Sequence, residues 1–211
     1  MNEDELERTS VVANCVMNRQ RGLEGPNSYE KELGFSIRDY LSKCDAPSWL
    51  DLCCGEGRAL EAASGLGGFR LVGVDLVERG RAQGVEWHTT SLRGFETAEK
   101  FDLVTCVHGL HYLGDKLGAL EKISGWLKPE GEMYTHIDLS HLFISGKKSA
   151  ARTILAEVRG ASLEYSRSRH LIYGCPSRKL DFGLSFEKAD PAAGPNYTGQ
   201  PAVGSYYRSP R

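Results

Sequence analysis

Apolar positions change period several times along the 211-residue chain, and those changes divide it into elements. In the segment Val11 to Gly22, residues Val12, Cys15, Val16 and Arg19 fall on one helical face. Gly25-Pro26-Asn27-Ser28 breaks that pattern, and Ser28 is placed to cap a short helix over Tyr29 to Leu33. A further helix is predicted from Ser36 to Lys43. Trp49-Leu50-Asp51 then reads as the end of a strand, Cys53 to Gly57 as a tight loop, and Arg58 to Ala63 as a helix. The β-branched run Leu71 to Asp75 is a second strand, followed by a short helix from Leu76 to Gln83. Val85 to Thr89 alternates as a third strand. Phe101 to Val107 is almost continuously apolar, as expected of a strand covered on both faces. Leu117, Leu120, Ile123 and Leu127 recur at helical spacing from Asp115 to Trp126, and a fifth strand runs from Gly131 to Ile137.

Beyond Asp138 a helix is expected over Ser149 to Arg159. Arg169 to Cys175 and Leu180 to Glu187 read as an antiparallel hairpin joined by Pro176-Ser177-Arg178, closing the sheet. The tail from Asp190 is rich in proline and glycine, a composition of disordered segments, yet it carries Tyr197, Tyr206 and Tyr207, which favour docking across a pocket mouth. The order of strands and helices predicts an α/β fold: a Rossmann-like, doubly wound, mostly parallel sheet with a closing antiparallel hairpin and an N-terminal helical lid. One domain is expected over 1–211, with the lid at 1–47, the core at 48–188 and the tail at 189–211.

Charge and cysteine usage narrow the class. A formal charge of −2 without a lysine or arginine run leaves no electrostatic footprint for nucleic acid. The six cysteines follow no zinc spacing and read as free thiols of a reducing compartment. The acidic start lacks an apolar leader, and no run approaches ~20 apolar residues, so a cytoplasmic protein away from membranes is expected.

The loop after the first strand carries the chemistry. Gly55 and Gly57 let a ligand approach the backbone, and the following helix start presents free N–H groups. Asp75, twenty-four positions after Asp51, ends the second strand, where a carboxylate accepts both hydroxyls of a ribose. Glu56 in the loop would repel a pyrophosphate, and no Gly-Lys-Ser/Thr follows, so the ligand has a ribose but no phosphate.

These residues, with Phe101-Asp102-Leu103-Val104 and the Lys128-Pro129-Glu130-Gly131 turn, resemble class I S-adenosylmethionine-dependent methyltransferases over Trp49 to Asp138. The sequence departs from them at Cys53, where the loop usually has its first glycine, and at Thr90-Ser91-Leu92, where many members have an acid for the adenine amino group. The resemblance implies S-adenosyl-L-methionine as cofactor, bound by Asp51, Cys53, Gly55, Gly57, Arg58, Asp75, Leu76, Ser91, Leu92, Val107 and His108. Tyr29 is either set against the methionine part or packs its helix on the sheet.

Methyl transfer to a hydroxyl or ammonium needs a base as well as in-line positioning. His108 and His111 follow the fourth strand and are the catalytic candidates, His108 first, because the residues directly after that strand face the reacting methyl in the family. His136, Asp138 and His141 are either pocket lining or solvated loop residues. A His-x-x-His metal site is not expected, since the usual helical pair is i, i+4 and no third ligand lies near in sequence. The partner expected is a small-molecule acceptor methylated at oxygen or nitrogen by a monomer or homodimer. Two other readings stay open: an intramolecular cyclase or lyase that consumes the cofactor and releases methylthioadenosine, as in azetidine-2-carboxylate formation, and a regulatory protein that binds the cofactor without turnover.

Overall fold

The structure, a computed structural model, describes residues 6, 20–76 and 82–210. The helix expected from Val11 to Gly22 and the one from Leu76 to Gln83 lie largely outside the described residues.

The sheet is built from the runs that read as continuously apolar. β1 (Ser48–Leu52) is buried at all five positions, and β4 (Phe101–Cys106) at five of six. β1 pairs in parallel with β2 (Arg70–Asp75) on one side and with β4 on the other. β3 (Val85–Thr89) extends the sheet beyond β2, and β5 (Leu127–His136) beyond β4, both in parallel. The chain winds outward from β1 to β3 and returns to start again at β4. The carboxyl ends of β1 and β4 therefore diverge at a topological switch point, where such sheets form their ligand crevice.

Among the described residues two short helices precede β1. α1 (Tyr29–Leu33) is capped by Ser28 Oγ, which accepts the Lys31 N–H, and α2 (Ile37–Leu41) is capped likewise by Ser36. With α3 (Arg58–Ser64) they cover one face of the sheet, where Tyr29, Leu33, Ile37, Leu41 and Leu60 pack with Trp49, Leu71 and Leu103. α4 (Lys116–Gly125) and α5 (Ala151–Gly160) cover the other through Leu117, Leu120, Ile123, Ile154 and Val158.

The closing antiparallel pair is present, with one strand different from the sequence expectation. β8 (Leu171–Gly174) lies antiparallel to β5, but its hairpin partner is the preceding β7 (Glu164–Ser166). The stretch after Pro176 leaves the sheet because α4 offers its backbone other partners. Leu180 N–H donates to Ser124 Oγ and Phe182 N–H to Glu121 Oε1. The chain next forms β9 (Ser185–Asp190) in a second, three-stranded sheet, in which β10 (Gly204–Arg208) is central between β9 and β6 (Leu142–Ile144). This small sheet crosses the expected core and tail boundary at 188/189.

The tail docks, against the disorder its composition suggests. Lys116 Nζ is buried and donates to Leu113 O, Val203 O and Ser205 Oγ at 2.9, 2.5 and 2.9 Å. Buried Tyr207 accepts Leu117 N–H and donates to Asp115 Oδ1. Among the described residues no helix is long and apolar enough to cross a membrane, and five cysteines are free.

Candidate active site

The crevice at the switch point is a cavity of ≈ 370 Å³. Cys53 and Gly55 come to it from the loop after β1, Asp75 and Leu76 from the end of β2, Ser91 and Leu92 from the turn after β3, and Val107 and His108 from the end of β4. All eight belong to the set implied by the resemblance. Leu6, Thr90, Arg93, Tyr112, Leu113 and Asp115 also line it. Of these, Thr90 and Arg93 flank the predicted Ser91-Leu92 pair, whereas nothing in the periodicity marked Leu6 or Tyr112.

The glycine loop is held at both ends. Gly55 N–H donates to Asp75 Oδ2 at 2.9 Å, and Cys54 N–H to Val74 O at 3.2 Å, so the loop is pinned to the carboxyl end of β2. Cys53 adopts φ 54°, the left-handed backbone that a glycine would favour. Its side chain fits because residue 109 is glycine. A Cβ there would stand 2.4 Å from Cys53 Cβ. The substitution in the loop is thus accommodated across the crevice.

Tyr29, Asp51, Gly57, Arg58 and His111 are not among the cavity-lining residues. Gly57 has φ 74° as the residue before α3, and a Cβ on it would meet the Trp87 ring at 2.3 Å; it faces the β3 side chain. Arg58 pairs with Glu56 at 3.0 Å. Asp51 is fully buried beneath the loop. It accepts the Tyr29 hydroxyl on Oδ2 at 2.7 Å and the Thr105 hydroxyl on Oδ1 at 2.6 Å, while Trp49 Nε1–H donates to Thr105 Oγ1 at 2.8 Å. Burial raises the Asp51 carboxyl to about 7, against the lowering effect of the two hydroxyls. Tyr29 also packs edge-on to Trp49, which seats its helix on the sheet.

Behind the cavity wall lies a buried polar cluster. His108, at φ 61°, touches Glu32 Oε2 through Nε2 at 3.1 Å. Its Nδ1 is 3.2 Å from the Tyr197 hydroxyl and 3.4 Å from His111 Nε2. Glu32 comes from α1, and its other oxygen pairs with Arg21 at 3.3 Å. His136, at the end of β5, stacks on His108 with centroids 4.2 Å apart. Tyr197 stacks on His170 at 3.9 Å and donates its N–H to Asp138 Oδ2. Asp138 also accepts from Ser140 and stands 3.5 Å from His141. Burial lowers His111 to about 3, helped by the neighbouring His108, and lowers His136 too, so both rings are neutral at pH 7. The His108 contact, the largest influence on Glu32, lowers its carboxyl and keeps it anionic.

The sequence offered no third metal-ligand type near His108, but the fold does. Ligand atoms of Glu32, His108 and His136 lie within 4.8 Å of one another. An imidazole binds a cation along an in-plane nitrogen lone pair. The two rings are stacked at 15°, so as placed their lone pairs do not converge on one point.

A family model described as a methyltransferase domain matches residues 27–181, well over half of the chain. Among solved structures, the N-methyltransferase NodS from Bradyrhizobium japonicum WM9, in complex with S-adenosyl-L-homocysteine, is similar in fold. Its TM-score is 0.54 at 20% identity, over 83% of this chain and 98% of that one. CalS10, an amino pentose methyltransferase from Micromonospora echinaspora, has TM-score 0.43 at 27% identity, over 51% of this chain and 50% of its own. The plantazolicin methyltransferase BpumL has TM-score 0.41 at 23% identity, over 44% and 39%. The chain therefore spans half or less of the length of the latter two. No curated protein matches. With a family model running from α1 through β8 and the glycine loop and acid placed at the switch point, the chain belongs to the methyltransferase-domain family, on the class I S-adenosylmethionine-dependent fold.

Proposed function

We propose that this chain methylates a small-molecule acceptor at oxygen or nitrogen, with His108 taking the acceptor's proton. The observation that carries the reading is the double position of His108, which lines the cavity and also heads the buried polar cluster. S-adenosylmethionine supplies an electrophilic methyl on a sulfonium. In this reading Asp75 receives the ribose hydroxyls and the Ser91-Leu92 turn borders the adenine. Cys53 and Gly55 border the methionine portion. The cavity fits such a molecule in chemistry as well as size: one carboxylate at the strand end stands among Val74, Leu76, Leu92 and Leu113, an apolar slot for a planar base.

His111 is buried and held neutral behind His108, so it supports the base rather than replacing it. The docked tail covers this side with Tyr197, which keeps bulk water from the base.

The test is product analysis with a pool of small hydroxyl- and amine-bearing acceptors. S-adenosylhomocysteine should form in step with a methylated acceptor, and His108→Ala should slow turnover about 10²- to 10⁴-fold. Methylthioadenosine formed without an acceptor would instead identify an intramolecular reaction of the cofactor. Binding without any product would identify a regulatory protein.

A further inference from the structure

We propose that Glu32, carried on the lid helix α1, is the positioning residue that fixes the tautomer of His108 and so decides which of its nitrogens acts as base. The inference rests on the reading of His108 as base and adds the group that makes it one.

The argument starts from hydrogen-bond roles. An ionised carboxylate only accepts, so the His108 nitrogen facing Glu32 Oε2 at 3.1 Å must carry the proton. Glu32 is held anionic by that contact and by Arg21 on its other oxygen. With Nε2 protonated, the neutral ring has its lone pair on Nδ1. The surroundings of Nδ1 agree: the Tyr197 hydroxyl at 3.2 Å and His111 Nε2 at 3.4 Å are both able to donate to it. If His111 donates through Nε2, its remaining Nδ1 is a bare lone pair, and His111 Nδ1 is a buried atom without a partner. An orphaned acceptor is the less costly orphan, since an unmet N–H loses a directed donor bond. The Glu32 contact thus assigns the tautomer, and the two contacts of Nδ1, either of which its single lone pair can accept, are compatible with it.

The consequence concerns where the acceptor's proton goes. It must arrive at Nδ1, on the side occupied by the tail's Tyr197 hydroxyl, and the imidazolium so formed is stabilised through Nε2–H by the Glu32 carboxylate. The acceptor's heteroatom gains the methyl and loses this proton, and the positive charge of the sulfonium is replaced by that of the ring. Glu32→Gln removes the charge and can present its amide N–H to Nε2. The ring would then turn to the other tautomer and lose the base on the Tyr197 side.

The experiment combines ¹⁵N NMR of histidine-labelled protein with kinetics. In the wild type, His108 should show a protonated Nε2 and an unprotonated Nδ1. Glu32→Gln should reverse this and lower kcat on the order of a hundredfold, less than the ~10⁴ of a wrong-tautomer triad. The KM for S-adenosylmethionine should stay within about twofold, because Glu32 does not line the cofactor cavity. Glu32→Asp, which keeps the charge, should restore the tautomer and part of the rate, and it serves if the glutamine variant fails to fold. An unprotonated Nε2 in the wild type overturns the proposal. So does an unchanged tautomer and rate in Glu32→Gln beside an inactive His108→Ala, an outcome that leaves the base itself standing. Full activity of His108→Ala is the separate result that removes the base reading. Stoichiometric zinc retained after incubation with zinc sulfate and gel filtration, with Nε2 as ligand, also overturns it.

Discussion

Replacing Asp75 by asparagine separates the bond its carboxylate makes in the structure from the ribose contact proposed for it. Its Oδ2 accepts the Gly55 N–H at 2.9 Å, which holds the glycine loop against β2. An amide oxygen can accept the same bond, so the loop should keep its place. What the substitution removes is the charge that the proposed ribose contact would use. A hydrogen bond to a charged acceptor contributes about 1.5–3 kcal/mol and a neutral one about 0.5–1.5, so each hydroxyl loses about 1–1.5 kcal/mol. Two hydroxyls give about 2–3 kcal/mol, roughly a thirty- to hundred-and-fifty-fold weaker affinity. Asp75→Ala should lose more, because Gly55 N–H is then also left without its acceptor. Isothermal titration with S-adenosylhomocysteine reads both, with the melting temperature as a control for folding. Affinity of Asp75→Asn within about threefold of wild type would refute the ribose assignment. Equal losses in the two variants would refute the view that the loop hydrogen bond matters separately.

Two further predictions concern the tail and acid stability. Lys116→Met leaves Leu113 O, Val203 O and Ser205 Oγ without the ammonium, a loss of about 2–4 kcal/mol locally, while sparing the desolvation that pushes Lys116 down to about 7. Hydrogen exchange should therefore speed up over 196–208 with a smaller change in global melting; unchanged exchange there would refute the fastening role. His111 and His136 are held neutral by burial, so below their ordinary value of ~6.5 the unfolded chain takes up protons that the native state does not. His111, lowered to about 3, costs up to about 1.4 kcal/mol per pH unit there, and His136 adds to the loss in the same direction. Asp51, protonated in the native state below about 7, returns up to about 1.4 per unit over the same range, so the two histidines together leave a net loss of stability from pH 6.5 to 5. Urea melts across that window should show it, and stability rising steadily on acidification would contradict it.

What could be read beforehand follows from how each element is buried. β1, β2 and β4 are covered on both faces, so their apolar runs speak for themselves whatever the tertiary partners. Leu180 to Phe186 alternates just as a strand would, and the signal is real in that Leu180 and Phe182 are buried. Their partner, though, is helix α4, and side-chain acceptors on that helix replace a strand ladder, which no period reveals. Glu164–Ser166, the true hairpin strand, is three residues with no apolar alternation to read. The cavity wall was legible because loop and strand-end positions follow from the winding. Glu32 was not, because an acid on a five-residue helix reads as solvated until the fold brings it across 76 positions to His108. The tail's docking was half legible: three tyrosines favoured it, but the fastening lysine lies at Lys116, far away in sequence.

Asp51 shows why an acid is kept where burial makes it costly. A five-residue helix has no stability of its own, so α1 holds its place only through tertiary contacts. Tyr29 and Glu32 are three residues apart and share a face of that helix. The Tyr29 hydroxyl is fixed by Asp51, at the carboxyl end of β1, and Glu32 reaches His108 just past the neighbouring end of β4. Two short bonds therefore set both the position and the rotation of α1 against the switch point, with Thr105 and Trp49 completing the anchor from inside the sheet. Burial holds Asp51 near the point of protonation, yet its two hydroxyl donors make an isolated apolar replacement unattractive, since each would be left unpaired in the core. In the structure the acid at the end of β1 seats the helix whose next turn carries the carboxylate on His108.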